Sequence, residues 1–357
     1  MTLKIAVLDD YQEVSKEYFS STGDGFEVHY FKDTLLPYSH PETPQNVKDQ
    51  LAQRLEPFHI ISTMRERTPF PGELVRRLPN LQLLLTTGKR NLALDLDAFK
   101  ERGIPVLCSG AISAPSAGTL PDSTTEHIVT SILAIAKNIA SDDLVVKAGG
   151  WQTRLNTGVA GKTLGLVGLG RLGAHVAKIF RVAFGTKIIA WSENLTQEKA
   201  DEQAKTLGLA TETDGEKTFK SVSRQELFST ADIISVHLVL SDRSRGLINA
   251  SDFALMKPES FFVNTSRGPL VVERDLLDTL KRGHIRGAAL DVFNIEPLPL
   301  DSEWRTTPWG KDGRSNVLLT PHSAYVEDRA IHDFYKIQVD VLARWKKDED
   351  LQAWRLN

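Results

Sequence analysis

The chain has 357 residues, which at roughly 150 residues per domain suggests two domains. Hydrophobic residues make up 41% and charged residues 25%, a composition that excludes wholesale disorder, collagen-like repeats and a membrane bundle. A formal net charge of −3 and a pI near 6.3 argue against a protein built to bind phosphate backbones, so no nucleic-acid partner is expected.

The N-terminal segment MTLKIAVLDDYQ carries an apolar run too short for a signal-peptide core. No stretch reaches the roughly eighteen apolar residues of a membrane-spanning helix. A single cysteine, Cys108, cannot form an intramolecular disulfide, which fits a reducing compartment. The expectation is a cytoplasmic protein without a membrane partner.

Along the chain, apolar runs of strand length occur at Lys4–Leu8, Phe26–Phe31, Phe58–Ser62 and Leu81–Thr86. Helical stretches separate them, such as Pro44–Leu55, where Val47, Leu51 and Leu55 recur at spacing four. This alternation predicts a parallel sheet with helices on both faces, and the first block ends near Cys108. Ser123–Lys147 reads as one long helical segment, with Ile128, Ile132, Ile135 and Ile139 on one face. A second block follows, with strands predicted at Thr163–Val167, Lys187–Trp191, Asp232–Val236, Phe261–Asn264, Gly287–Leu290 and Val317–Leu319. Glu296–Asn316 reads as irregular, and Trp304 and Trp309 within it point to function over disorder. Val326–Lys347 is a final helix, with Ile331, Phe334, Ile337, Val341 and Trp345 at helical spacing and no further strand after it.

Six glycines fall between Gly158 and Gly173. The segment TLGLVGLGRLGAHVAKIF reads as strand, then Gly168-x-Gly170-x-x-Gly173, then helix. Each glycine has a physical reason: Gly168 for a tight turn, Gly170 for close approach of a pyrophosphate, Gly173 for helix–strand packing. A diphosphate would sit over the helix N-terminus, where unpaired N–H groups favour an anion. An acidic residue, Glu193, follows the next strand one position after Ser192, and its charge would repel a 2′-phosphate. The pattern favours NAD as cofactor, with NADP left open.

Three later segments place polar residues at strand ends, where open α/β sheets keep their ligands. They are FFVNTSRGPLV with Arg267, GAALDVFNIEPL with Asp291 and Glu296, and NVLLTPHSAYV with His322. Singly, each reads as a surface ion pair, a loop start or a structural histidine. Their recurrence at the edge that carries the glycine turn points to a site.

Together with ADIISVHLVL…RGLIN, these segments stand in an order and spacing that resembles the D-isomer-specific 2-hydroxyacid dehydrogenases over roughly residues 164–322. LPNLQLLLTTG and DLDAFKERGIPV match more loosely. The resemblance implies a catalytic set of Arg267, Glu296 and His322. Arg267 would offer fixed donors to the substrate carboxylate and carbonyl oxygen. His322 would exchange the proton with that oxygen, and Glu296 would orient the imidazole and favour its charged form. The resemblance also implies Arg171 and Leu172 at the diphosphate, Leu238 and Ser244 near the adenosine, Thr265 beside Arg267, and Asp291 at the nicotinamide carboxamide. His237 is read as structural or cofactor-adjacent.

The loop LLLTTGKRNLALDLDAF is about two residues longer than the family's substrate-carboxylate turn. Thr87, Gly88 and Lys89 are assigned to it, with Arg90 adding charge beside an anionic substrate. The loop STMRERTPF brings Met64 and Arg65 to the substrate. With Tyr325, and Trp304 or Trp309, Met64 would form a pocket suited to a bulky apolar or aromatic 2-keto acid over glyoxylate; dimer packing is the other reading of the tryptophans. No metal is expected.

The implied function is reversible reduction of a 2-keto acid to a D-2-hydroxy acid. The alternatives are a glyoxylate/hydroxypyruvate reductase subtype and an NAD-sensing corepressor-like protein on the same fold. Glu296 speaks against a formate dehydrogenase, and a chain that stops about a helix after His322 leaves no room for the regulatory extension common in phosphoglycerate dehydrogenases. The glycine turn lies near the middle of the chain and the last helix has no sheet of its own. The expected architecture is therefore two doubly wound parallel-sheet domains. A Rossmann dinucleotide-binding domain, 112–324, is inserted in a flavodoxin-like substrate domain formed by 1–111 and 325–357. A homodimer is implied by resemblance, with Ser123–Lys147 and Trp151 as interface elements.

Overall fold

The computed structural model describes residues 2–89, 91–109 and 121–357. The chain divides into two units, one of Met1–Pro115, Ile295–Pro297 and Val326–Asn357, the other of Ser116–Asn294 and Leu298–Tyr325. The 111/112 boundary expected from sequence falls outside the described residues.

The first unit alternates β1 (Leu3–Val7), α1 (Ser15–Phe19), β2 (Phe26–Tyr30), α2 (Gln45–Leu55), β3 (Ile60–Ser62), α3 (Gly72–Arg76), β4 (Leu83–Thr86), α4 (Leu96–Glu101) and β5 (Val106–Cys108). All five strands are parallel, in the order β2-β1-β3-β4-β5, which is the flavodoxin-like winding. Strands buried on both faces read as continuous apolar runs, as Leu83–Leu85 does. On one face Ala6, Ile61, Leu84 and Val106 pack against Leu51 and Leu55 of α2, Leu74 of α3 and Phe99 of α4. Strand β5, three residues long, was not marked by its own pattern. The chain end lies along its outer edge, where Cys108 N–H donates to the Trp354 carbonyl and Leu356 N–H to that of Val106, at 2.8 and 2.9 Å.

The second unit opens with α5 (Ser123–Ala136) and α6 (Ile139–Lys147), not one long helix. Asn138 between them takes a left-handed conformation at φ 52°, which asparagine tolerates better than most residues. Ile128, Ile132 and Ile135 are buried, but beyond the break Ile139 is exposed. Next come β6 (Thr163–Val167), α7 (Arg171–Phe184), β7 (Lys187–Trp191), α8 (Gln197–Thr206), a small hairpin of β8 (Glu212–Thr213) and β9 (Glu216–Lys217), β10 (Lys220–Ser221), α9 (Arg224–Thr230) and β11 (Ile233–Val236). The unit closes with α10 (Ala250–Phe253), β12 (Phe261–Asn264), α11 (Glu273–Lys281), β13 (Gly287–Leu290), α12 (Glu303–Thr306) and β14 (Asn316–Leu319). Its seven-stranded parallel sheet runs β10-β7-β6-β11-β12-β13-β14, the Rossmann order with one added strand. The two-residue β10 is too short and polar for periodicity to reveal.

One face of this sheet is covered by α5, α7 and α8 through Ile132, Val176, Phe180 and Ala200. On the other, Leu227, Phe253, Leu276, Leu280 and Trp304 pack under α9 to α12. The stretch read as irregular therefore contains a helix and a core residue. Trp304 is 3% exposed, lies 5.8 Å from the Trp309 ring, and gives its indole N–H to Glu273. Trp309 donates in turn to the Trp304 carbonyl at 2.9 Å. The Trp304 side chain packs in the core and lines a cavity with Asn264, Gly268, Phe293 and Asn294.

From Tyr325 the chain returns to the first unit through α13 (Asp328–Lys346). Ile331, Phe334 and Val341 are buried, whereas Ile337 and Trp345 are half-buried. Gln338, buried, accepts from the Ser62 hydroxyl at 2.5 Å, and Tyr335 meets Phe19 of α1 edge-on.

Candidate active site

The glycine turn joins β6 to α7 at the point where strand order reverses between β6 and β11. Gly168 has φ +105°, and a Cβ there would press on the His237 carbonyl and the Leu238 side chain at 3.0–3.1 Å. A Cβ on Gly173 would overlap the Gly168 carbonyl oxygen, whereas one on Gly170 would meet nothing within 4 Å. The turn is thus tight at both ends and open in the middle, over the N-terminus of a 14-residue helix. That is the form a diphosphate requires. The residues present fit a dinucleotide.

Arg171 and Leu172 supply the first backbone N–H groups of α7. The Arg171 guanidinium pairs with Asp122, the N-cap of α5, at 2.6 Å. Burial raises the Asp122 pKa, but the Thr125 N–H and Arg171 outweigh it and hold the carboxyl below its ordinary range. Ser192 and Glu193 follow β7, Ser192 half-buried and Glu193 exposed. Beside them the Arg224 guanidinium lies 5.4 Å from the Trp191 ring centroid and is held on two sides by Asp252, at 2.7 and 2.6 Å. The Ser244 hydroxyl ties its own loop, donating to the Val239 carbonyl at 2.8 Å and accepting from Ser241 N–H at 2.8 Å.

His237, just after β11, is the floor of the turn: its ring lies 3.4 Å from the position of a Gly173 Cβ. Both ring nitrogens are buried without a hydrogen-bond partner among the described residues. Burial lowers its pKa to about 4, so the ring is neutral near pH 7. The Thr265 hydroxyl, after β12, is likewise buried and unpartnered among the described residues.

Arg267 and His322 follow β12 and β14. Arg267 is extended at φ −150° and donates to the Ser266 carbonyl at 2.7 Å. The Asn264 side chain fastens this loop, donating to the Arg267 carbonyl and accepting from Ser266 N–H at 3.0 and 3.1 Å. His322 sits at φ +51°, and its ring meets that of Tyr325 edge-on at 5.8 Å.

Asp291, after β13, is fully buried. One oxygen accepts from the Thr320 hydroxyl at 2.6 Å and Ser323 N–H at 2.9 Å, the other from Ala324 N–H at 3.2 Å. Burial raises its pKa, but His127, Thr320 and Ser323 outweigh that and hold it below the usual range. These contacts tie the carboxylate to the His322 loop. His127 was missed, because the periodicity of α5 marks its apolar face and not the polar residue that points to the sheet edge.

Glu296 is half-buried and groups with the first unit. There the loops after β3 and β4 interlock. Arg65, at φ +52°, donates its N–H to the Thr87 hydroxyl at 2.9 Å and accepts from Asn91 at 2.7 Å. A Cβ on Gly88, φ +80°, would lie 2.6 Å from the Arg65 guanidinium. Met64 is 2% exposed and accepts from the Thr87 hydroxyl through sulfur, so it packs beneath the loop. Lys89 is exposed, and Arg90 lies outside the described residues. No cluster of metal-ligating side chains occurs among the described residues.

Residues 129–324 match the NAD-binding domain of the D-isomer-specific 2-hydroxyacid dehydrogenases. A hydroxypyruvate reductase of Thermotoga maritima is 33% identical over 277 residues, 77% of this chain and 80% of that protein. A D-3-phosphoglycerate dehydrogenase of Bacillus subtilis is 31% identical over 294 residues, 81% of this chain, which spans about half the length of that relative. The crystal structure of a phosphoglycerate oxidoreductase from Vibrio cholerae O395 superposes with a TM-score of 0.78 at 31% identity, covering 97% of this chain and all of that one. The chain belongs to the D-isomer-specific 2-hydroxyacid dehydrogenase family. Residues 129–324 constitute that family's NAD-binding domain.

Proposed function

We propose that this protein is an NAD-dependent D-2-hydroxyacid dehydrogenase that interconverts a 2-keto acid and a D-2-hydroxy acid. The observation that carries the reading is one sheet edge. Strands β6, β12 and β14 are parallel, so the glycine turn, Arg267 and His322 emerge on the same side of one rigid sheet.

The glycine turn and the first N–H groups of α7 would hold the diphosphate, with Ser192 or Glu193 at the ribose hydroxyls and Leu238, Ser244 and the Thr265 hydroxyl along the rest of the cofactor. When bound, the nicotinamide supplies or accepts the hydride. Arg267 holds the substrate carboxylate and draws electron density toward the carbonyl oxygen. His322 donates its proton to that oxygen during reduction and recovers it during oxidation. Glu296 is the carboxylate that keeps the imidazole oriented, and Thr87, Gly88, Lys89 and Arg65 are the substrate-side loop residues. The Tyr325 ring, edge-on to His322, flanks the reacting centre.

We further propose that two copies associate through α6. All nine residues of this helix are at least partly exposed, and the apolar side chains of Ile139, Leu144 and Val146, with Trp151 after the helix, are exposed to solvent. No helix among the described residues is long and apolar enough to cross a membrane, and the reading places the protein in the cytoplasm.

Oxidation of NADH and NADPH is to be followed with glyoxylate, hydroxypyruvate, pyruvate, phenylpyruvate and 2-ketoisocaproate. Steady turnover of at least one acid, faster with NADH, is expected. Tight NADH binding without turnover of any acid would instead support an NAD-sensing binding protein.

A further inference from the structure

Helix α5 makes two polar contacts one turn apart with the loop that carries His322. The Ser123 hydroxyl donates to the Ala324 carbonyl at 3.1 Å. Four residues on, His127 Nε2 lies 3.2 Å from the Thr320 hydroxyl and 3.3 Å from the buried Asp291 carboxylate. The direction of these contacts follows from the donors available. Thr320 spends its only hydroxyl proton on Asp291 at 2.6 Å, and an ionised carboxylate can only accept. Nε2 of His127 is therefore the donor, shared between two acceptors.

Asp291 in turn fixes the loop by side chain and backbone together. It accepts from Thr320, Ser323 and Ala324 through its carboxylate, and its carbonyl accepts the His322 N–H at 2.7 Å. His322 is held at φ +51°, a conformation uncommon in non-glycine residues. A change of φ at this position would re-aim the imidazole.

We propose that His127 is a positioning residue for the reaction: its Nε2–H clamps Thr320 and Asp291 and thereby holds the His322 loop in its left-handed geometry. The same helix end also reaches the dinucleotide turn, since Asp122 caps α5 and pairs with Arg171. The proposal rests on the reading of His322 as the acid/base.

The test compares His127→Leu, which removes the donor, with His127→Gln, whose terminal amide places an N–H near the same point. A misplacement on the scale of an ångström costs about 10–100-fold in turnover, so kcat of H127L should fall by that amount. H127Q should recover most of the loss. The NADH Kd should stay within about twofold in both, as the cofactor turn is intact. Amide exchange of residues 320–325 should accelerate in H127L alone. A merely structural role would not distinguish the two variants in this way. Normal kcat in H127L, or equal losses in H127L and H127Q with NADH binding retained, overturns the proposal. Should H127L fail to fold, Thr320→Val takes its place, with loss of kcat supporting the clamp and unchanged kcat overturning it. His322→Gln is measured alongside. Full turnover there overturns the reading of the site itself, whereas inactive H322Q with normal H127L overturns the clamp alone.

Discussion

The backbone N–H of His322 donates to the Asp291 carbonyl at 2.7 Å, and the carboxylate of the same aspartate takes up donors on either side of that histidine. The acid/base residue of the proposed reaction therefore hangs from the end of strand β13, not from its own strand alone. Asp291, which the resemblance places at the nicotinamide carboxamide, is also the anchor of this loop.

Gly173 has no room for a side chain. A Cβ there would overlap the carbonyl oxygen of Gly168, and backbone cannot step aside as a flexible side chain can. Gly173→Ala should lower stability by about 1–3 kcal/mol, the usual cost of overpacking. Because the clash lies inside the turn, NADH affinity should fall as well, read by quenching of tryptophan fluorescence. Unchanged affinity would show that the dinucleotide does not use this turn.

Glu193 is exposed just after β7, and the neighbouring Arg224 is held by Asp252. A carboxylate disfavours a 2′-phosphate, and the Arg224 guanidinium is already taken up by Asp252. Replacing Glu193 by Ser should narrow the NADH-over-NADPH preference in kcat/KM by about tenfold, modest because the charge is solvated. A ratio that does not move assigns the selectivity to other residues.

His237 titrates at about 4 in the folded chain because of burial, against about 6.5 unfolded. Between these values the unfolded state binds more protons, so folding stability rises with pH. The contribution is fully present above pH 6.5 and is lost as pH falls toward 4, amounting to about 3 kcal/mol. Asp9 acts in the opposite sense: burial raises its pKa to about 6, so its contribution declines as pH rises from 4 to 6. The two partly cancel in the wild type. His237→Phe should therefore unmask the Asp9 trend, with apparent Tm falling from pH 4.5 to 6.5 relative to wild type. Parallel Tm curves would mean that His237 is not buried in neutral form.

The sheet cores were legible because strands buried on both faces spell out unbroken apolar runs, as in Leu83–Leu85 and Phe261–Val263. The glycine turn was legible because each glycine answers a separate steric demand. Short elements escaped: β10 is two polar residues, and the break at Asn138 lies inside an uninterrupted apolar repeat. Burial of Met64 and Trp304 escaped too, since Met64 sits in a loop and Trp304 in the four-residue helix α12, both too short for a periodicity that says which way a side chain faces. The role of Asp291 depends on Thr320 and Ser323, some thirty residues away, and only the folded sheet brings these together.

The most direct test of the account is His322→Gln, assayed with NADH and the best 2-keto acid of the panel, together with the NADH dissociation constant. Loss of general acid catalysis should lower kcat by about 10²–10⁴-fold, while NADH affinity stays within about twofold because the cofactor turn lies on another strand. A variant that turns over at the wild-type rate would contradict the assignment of His322 and, with it, the proposed mechanism.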